Sequence, residues 1–512
     1  MRFTPRCRTG GTVPLAAGRP LCSIARVRLA PLLAAALIGV AAAPAAAVVT
    51  ALPPPPARGP TELAPGISYQ RLERPGPQVI HILRVVPRPL VGLRPALTTG
   101  VLTRRGLLTD LTSAGADGGV VAGINADYFN LSGGFPSGLL VQGNRLVASP
   151  EASRSAVVIG PGLLLAVERL LLAGRWQVQA APGAAPFPVR TMASVNRPLG
   201  GSTGVVLYTP DFGATTPSTP ASEFAIALDV DAPLTVNVPV TGTVVQTGTG
   251  GGLPIGQGRV VLSALGGARP SATAELQLGA KVRIDPAVAG VPPDGSGAVG
   301  GGPLLVQDGI TVPSAGEGFT PGQIDGRTAR TAIGQTRGGT ILLVTSEGPQ
   351  QGRVGYTVAE QADLMASLGA VRAMGFDSGG SALMALGGDL VIPWSSQRPI
   401  PDALLVTYGG VRLALPEPRR VSGNADGVDD EARAVVRSPV PGRVTVTLDR
   451  RGAGTGPALV DTTLGPGSAE VVVDPARLGV PDGPYRLVAT LTPADGTPPT
   501  TQARAQVLDT TL

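Results

Sequence analysis

Carboxylates, amides and arginines carry the chemistry open to this chain. Asp377 stands in FDSGGS, where Gly379 and Gly380 let the backbone turn sharply and approach a ligand closely. Glu347 closes an apolar run, TILLVTSEG. Asn125 and Asp127 stand in GINADYF, just before the glycine-bearing GFPSG. Arg330 opens RTAIG and could clamp an anionic oxygen with two parallel hydrogen bonds. Each has a plain alternative. Asn125 and Asp127 could form an Asx turn that only reverses the chain. Arg330 could sit in a weak surface ion pair. Trp394 could stack on a sugar ring or fill a core.

Other chemistries lack their residues. His81 is the single histidine and lies in an alternating apolar strand, which suits a core or sheet-face role. That disfavours a Ser-His-Asp triad and a histidine-ligated zinc site. Ser378 and Ser381 flank glycines without forming G-x-S-x-G, and neither a phosphate-loop nor a dinucleotide fingerprint occurs. Cys7 and Cys22 both lie in the N-terminal leader, so a processed chain would have no thiol chemistry. The remaining toolkit suits glycoside chemistry and phosphate-ester recognition.

The elements that must position these groups are legible. Thr340 to Ser346 is a short β-branched run bounded by glycines, and Val371 to Phe376 is a second. Between them, Thr357 and Glu360 form a capping-box pair that starts a helix. Leu364, Met365 and Leu368 share one face of it, and Gly369 ends it. Two strands joined by a helix run parallel, so Glu347 and Asp377 leave the same sheet edge. Ligands bind at such carboxyl edges. Val79 to Val86 and Gly119 to Ile124 also read as strands.

The formal charge of +6 belongs to the leader: Arg2, Arg6, Arg8, Arg19, Arg26 and Arg28 precede residue 48, with no acid among them. The rest of the chain is neutral, which removes any argument for nucleic-acid binding. A basic segment, an apolar core from Leu29 to Ala43 and Ala45-Ala46-Ala47 together read as a signal peptide over 1–47. The expected product is secreted, extracellular or held in the cell envelope, with no membrane span after cleavage. Residues 48–65 read as a proline-rich linker. Gly 72, Pro 52 and only 3% aromatics suit many strands and turns and few helices, an α+β class with mixed β-sheets. The main domain is expected over 66–415, with a β-rich insertion at about 189–290.

Several motifs then occur in a fixed order: GINADYF at 123–129, GFPSG at 134–138, RTAIG at 330–334, GYTVAEQADLMASLGA at 355–370 and FDSGGS at 376–381. Together they resemble the phosphodiester glycosidase family, over roughly residues 62 to 413. SVNRP and VVLYTPDFG, within 194–213, resemble its bacterial, exopolysaccharide-associated branch. The resemblance implies a hydrolase acting on the bond between a sugar's anomeric carbon and a phosphodiester oxygen, with a glycan or sugar-phosphodiester as partner. Under it, Asp377 is base or nucleophile, with Glu347 or Asp127 as the second carboxylate. Arg330 takes the phosphate, Asn125 a sugar hydroxyl, and Ser378, Gly379, Gly380 and Ser381 line the substrate. Two departures stand out: Ser378 replaces the first glycine of the family's D-G-G-G-S, and Tyr128 replaces a phenylalanine.

Residues 421–512 alternate apolar and polar side chains between turns, as in a small β-sandwich. GNADGVDD and VPDGPYRLVATLTPADG resemble the immunoglobulin-like repeat of the flagellar hook-capping protein. Clustered oxygens from Asn424 to Asp430 could hold calcium, or could simply be an acidic turn; no other cofactor is called for. The competing functional class is a non-catalytic glycan-binding envelope protein that keeps the fold, motivated by Ser378 and the appended β module.

Overall fold

The computed structural model describes residues 59–509, apart from 181–184, 186, 293–296, 313–315 and 451–454. The signal peptide expected over 1–47 and most of the linker over 48–65 lie outside the described residues. The end of the linker differs from expectation. Thr61–Ala64 pairs antiparallel with Ile67–Arg74, because Gly66 at φ +83° closes a tight hairpin.

Six strands and two helices matter to the site: β1 (Gln78–Val85), β2 (Val120–Asn125), α1 (Pro321–Asp325), β3 (Arg330–Thr336), β4 (Ile341–Ser346), α2 (Val358–Ser367), β5 (Ala370–Gly375) and β6 (Asp402–Tyr408). An eight-stranded sheet contains the run β1-β4-β3-β5. Both β4 and β5 pair antiparallel with β3, which lies between them, so they run parallel to each other. Both therefore end at one edge, and β3 starts there. A helix crossover forces this parallelism, and β3 fills the gap it leaves.

Helix α2 starts where the capping box requires: Thr357 Oγ1 accepts from Glu360 N–H, and the Glu360 carboxylate accepts from Thr357 N–H. Its buried face, Val358, Ala362, Leu364 and Met365, packs on Ile80, Ile82, Leu342, Val344, Ala332 and Ala373. The sheet's other face contributes Leu83, Leu343, Ile333, Met374 and Phe376 to the main core. There they meet Ile124, Leu404 and Val406 of a second, five-stranded antiparallel sheet that contains β2 and β6. Strands between Arg175 and Asp285 belong to a separate eight-stranded sheet, which starts before the insertion expected at about 189–290.

Two further sheets enclose the C-terminal core of Val436, Val444, Val446, Val471, Leu487 and Leu491, giving a β-sandwich. It recruits Arg412–Leu413 from before the expected boundary. It is tied to the body by Arg437 with Asp117 at 2.6 Å and by a bond from Arg412 to the Ala116 carbonyl. Among the described residues no helix is long and apolar enough to cross a membrane.

The loop entering α2 is held by reciprocal bonds between Thr328 and Tyr356, 3.2 and 3.0 Å. Gly355, at φ +72°, has no room for a side chain, since an added Cβ would lie 2.8 Å from the Thr328 carbonyl oxygen. Gly355→Ala is expected to cost about 1–3 kcal/mol from the strained φ and the backbone clash. Thermal denaturation should show a lower Tm, and an unchanged melt would contradict this packing.

Candidate active site

The two sheets meet at the edge where β4 and β5 end. Asn125, the last residue of β2, is 1% exposed and bridges them. Its Nδ2 donates to the Asp377 carbonyl at 2.9 Å. Its Oδ1 accepts from the Thr331 hydroxyl at 2.7 Å and the Leu383 N–H at 2.8 Å. Asp377 N–H donates to the Ala126 carbonyl at 3.0 Å. GINADYF and FDSGGS, remote in sequence, are thus bonded directly. The sugar-hydroxyl contact expected of Asn125 gives way to bracing, because these internal partners hold both its oxygen and its nitrogen.

Beside this brace lie three acids. The Asp377 carboxylate accepts from the Ser378 N–H at 2.8 Å. Burial pushes its pKa up to about 6, against hydrogen bonds from Ser381 and Ser378 and the charges of Arg398 and Arg154. Asp127 is 2% exposed. It accepts from Tyr128 N–H at 2.7 Å and Gly138 N–H at 2.6 Å. Burial pushes it to about 7, and Asp377 adds to the rise. The last glycine of GFPSG and Gly300 have a reason here. A Cβ at Gly138 would lie 3.0 Å from the Asp127 Oδ2, and one at Gly300 2.7 Å.

The third acid, Asp402, escaped the sequence reading. It heads β6 and is 1% exposed. Its Oδ1 accepts from the Asp127 N–H at 3.1 Å, while its Oδ2 is buried without a partner. Burial, then the charge of Asp127, raises its pKa well above the ordinary range. The available signal was an acid placed directly before a continuous apolar run, ALLV, where burying a charge is expensive.

Glu347 reaches the same edge but is otherwise engaged. It accepts from His81 Nε2 at 3.0 Å and from Arg353 Nε at 3.3 Å. Burial works to raise its pKa, but the bonds from His81 and Arg353 outweigh it and hold the carboxylate below its ordinary value. Burial lowers His81, so a neutral imidazole donates from Nε2 while Nδ1 accepts from the Tyr69 hydroxyl at 2.8 Å. Glu347 therefore belongs to a structural chain, and Asp127 with Asp402 are the carboxyls electrostatically linked to Asp377. Among the described residues, no three acid, histidine or cysteine side chains are arranged to hold a metal ion.

The arginines also divide differently from expectation. Arg330 is 2% exposed. Its Nε donates to the Tyr356 carbonyl at 2.5 Å, and its Nη2 to those of Gln323 and Gly326 at 2.8 Å each. It locks the C-terminal end of α1 to the loop before α2, in place of the expected phosphate clamp. Arg398 is exposed, and its Nη1 donates to Ser381 Oγ at 3.1 Å. Arg154 stacks on Tyr128 and Phe319, with its guanidinium carbon 4.9 and 4.4 Å from the ring centres.

The turn after Asp377 accepts its serine. Ser378 has φ −124°, open to any residue, whereas Gly379 has φ +63°. The Gly379 N–H is spent on the Ala329 carbonyl at 2.8 Å, so of the two glycine amides proposed for substrate only Gly380's is without an acceptor among the described residues. Gly380 lies under Arg398, whose Nη2 would be 2.7 Å from an added Cβ. Trp394 is partly buried against Leu383 and Ile400, and its Nε1 donates to the Ala382 carbonyl at 2.9 Å, a packing role. In the acidic loop, Asp430 accepts from Ala425 N–H at 2.9 Å and Gly427 N–H at 2.7 Å, as a turn would. A groove of about 610 Å³ lined by Pro87, Arg88, Leu93, Arg94 and Leu163 includes no carboxylate.

Fold and site together describe a mixed-sheet α+β protein with an acid-and-arginine centre at a sheet junction. The phosphodiester glycosidase family model matches residues 234–407, which include Arg330, Asp377 and Asp402. No curated protein matches the chain. A hypothetical protein from Synechocystis shares the fold at TM-score 0.57 and 22% identity, over 67% of this chain and 62% of that one. The match thus spans less than two thirds of that protein. A Burkholderia pseudomallei protein described as exported superposes at TM-score 0.51 and 23% identity, over 65% of this chain and 74% of that one. The catalytic domain of zebrafish N-acetylglucosamine-1-phosphodiester α-N-acetylglucosaminidase aligns at TM-score 0.30 and 15% identity, over 67% and 82%, too distant to assign any role.

Two outcomes follow from this geometry. Asn125→Ala would leave the Thr331 hydroxyl, the Leu383 N–H and the Asp377 carbonyl without their partner, costing about 2–4 kcal/mol. Urea denaturation should show the loss, and a wild-type midpoint would contradict the bracing role. Asp377 and Asp127 have folded-state pKa values above the ordinary 3.8, at about 6 and about 7. Between those limits the folded state binds more protons than the unfolded one. Their stabilisation is therefore present below pH 3.8 and is lost as pH rises through 6 and 7. Asp402 is likewise held protonated in the folded state and ionises on unfolding, so Asp402→Asn removes one such group and its urea midpoint should fall less steeply across that window than wild type. An equal slope would contradict the raised folded-state pKa of Asp402.

Proposed function

We propose that this chain is an exported glycosidase that hydrolyses sugar 1-phosphodiesters in a cell-surface or exopolysaccharide glycan. The observation that carries the reading is the Asp377 carboxyl. It sits half-buried on the double-glycine turn, with a pKa raised to about 6, between the charges of Arg398 and Arg154. A carboxyl tuned toward neutrality can accept a proton in one step and return it in the next.

In the reaction, an oxygen nucleophile attacks the anomeric carbon. The bond from that carbon to the phosphate oxygen breaks, and its electron pair stays on the phosphate. Hydrolysis leaves a free sugar and a phosphomonoester. The leaving group is weakly basic, so catalysis rests on stabilising its charge and directing the nucleophile. Asp377 serves as base or nucleophile. Asp127, held by two backbone N–H groups, is the second carboxyl, and its backbone N–H is held in turn by Asp402. The family match over 234–407 supports the reaction class.

Of the two motives for the retained-fold, glycan-binding alternative, the unstrained backbone of Ser378 removes the first, and the appended β module remains. The test is sugar release from a nitrophenyl phosphodiester of the sugar anomeric carbon. Asp377→Asn is expected to lower kcat by about 10²- to 10⁴-fold with no loss of Tm near neutral pH. Near wild-type turnover would remove Asp377 from the mechanism.

A further inference from the structure

We propose that Arg154 is the anion-binding residue of this site and takes the phosphoryl oxygens of the substrate. This rests on the hydrolase reading above and deepens it. The Arg154 side chain makes no hydrogen bond or ion pair among the described residues, and its Nη1 is buried without a partner. A buried cationic donor left unpaired is costly, and a protein keeps one where a ligand supplies the acceptor.

Its surroundings hold it ready. The guanidinium caps the pair formed by Tyr128 and Phe319, whose tilted rings touch with centres 5.1 Å apart. Contact with two aromatic faces restrains the cation without using its N–H donors, and Nη1 keeps no partner among the described residues. Tyr128 immediately follows Asp127, and Phe319 lies two residues after Glu317. Glu317 is 2% exposed and accepts from Ser155 N–H at 2.8 Å and Leu304 N–H at 2.7 Å. The carboxylate nearest in sequence on that side is therefore already occupied. Arg154 also stands close enough to act electrostatically on Asp377, Asp127 and Tyr128.

Most neighbouring arginines are otherwise employed, while Arg398, exposed beside Asp377, has only its Nη1 engaged among the described residues, on Ser381 Oγ. Arg330 is bonded to three carbonyls, Arg353 to Glu347, Arg327 to Glu360 and Arg197 to Glu151. Arg154 is the cation by the three acids with a buried donor unspent. Tyr128, where the family has phenylalanine, adds an electron-rich face beneath the cation.

The test is isothermal titration of the full chain with inorganic phosphate and with α-glucose 1-phosphate, beside the sugar-release assay on the same preparations. Wild type is expected to bind both. Arg154→Gln should weaken both by roughly 10- to 100-fold, the loss of charge-assisted hydrogen bonds. Arg154→Lys, which keeps charge and packing, should fall between them and guards against misfolding of the first variant. Arg330→Gln should instead lower Tm. Phosphate affinity equal to wild type in Arg154→Gln, or no phosphate binding by wild type, would overturn the assignment. Binding through Arg154 without any sugar release would support the anion site and defeat the hydrolase reading. Undiminished sugar release by Arg154→Gln would defeat the anion site alone.

Discussion

The side-chain amide of Asn125 holds two sheets together at the point where the chemistry must assemble. One amide meets a hydroxyl on β3, a backbone N–H at Leu383 and the backbone carbonyl of Asp377. Buried polar groups are costly when unpaired and strongly orienting when all are paired. Satisfying this amide therefore sets the distance between the end of β2 and the turn after β5. Each of the three acids then takes its place from that junction: Asp377 on the turn, Asp127 two residues beyond the brace, and Asp402 at the head of the strand paired with β2.

Electrostatics follows from that placement. Three carboxyls share a poorly hydrated space, so desolvation and mutual repulsion both favour protons over charge. Backbone N–H groups pull the other way at Asp127, and arginines pull the other way at Asp377. The result is a set of raised values, with Asp377 at about 6, Asp127 at about 7 and Asp402 well above the ordinary range. Such grading lets acid and base roles separate among residues of one chemical type. Glu347 shows the contrast. Two nitrogen donors hold it ionised, and it stabilises a strand instead of joining the set.

Much of this was legible in the chain itself. The capping box at Thr357 and Glu360, the β-branched runs on either side and the crossover rule placed Asp377 and Glu347 at one edge. Glycine spacing marked the turns. What the sequence could not show was where each side chain spends its hydrogen bonds. Arg330 reads as a clamp because arginine forks suit phosphate, yet backbone carbonyls from a short helix and a loop claim it. Asn125 reads as a sugar contact because it ends a strand, yet three partners from distant segments claim it. Asp402 was missed because burial comes from the opposing sheet, and strand β3 between β4 and β5 because pairing order is a tertiary property. The linker's last residues became a strand because a single left-handed glycine allowed a hairpin.

The most direct test of a single cleft shared by Asp377, Asp127 and Arg154 is a crystal structure of the protein soaked with a sugar 1-phosphate. The account predicts phosphoryl oxygens within hydrogen-bond distance of the Arg154 guanidinium and the anomeric carbon facing the Asp377 carboxylate. A ligand bound only in the groove lined by Arg88 and Arg94, with the Asp377 turn left untouched, would contradict it.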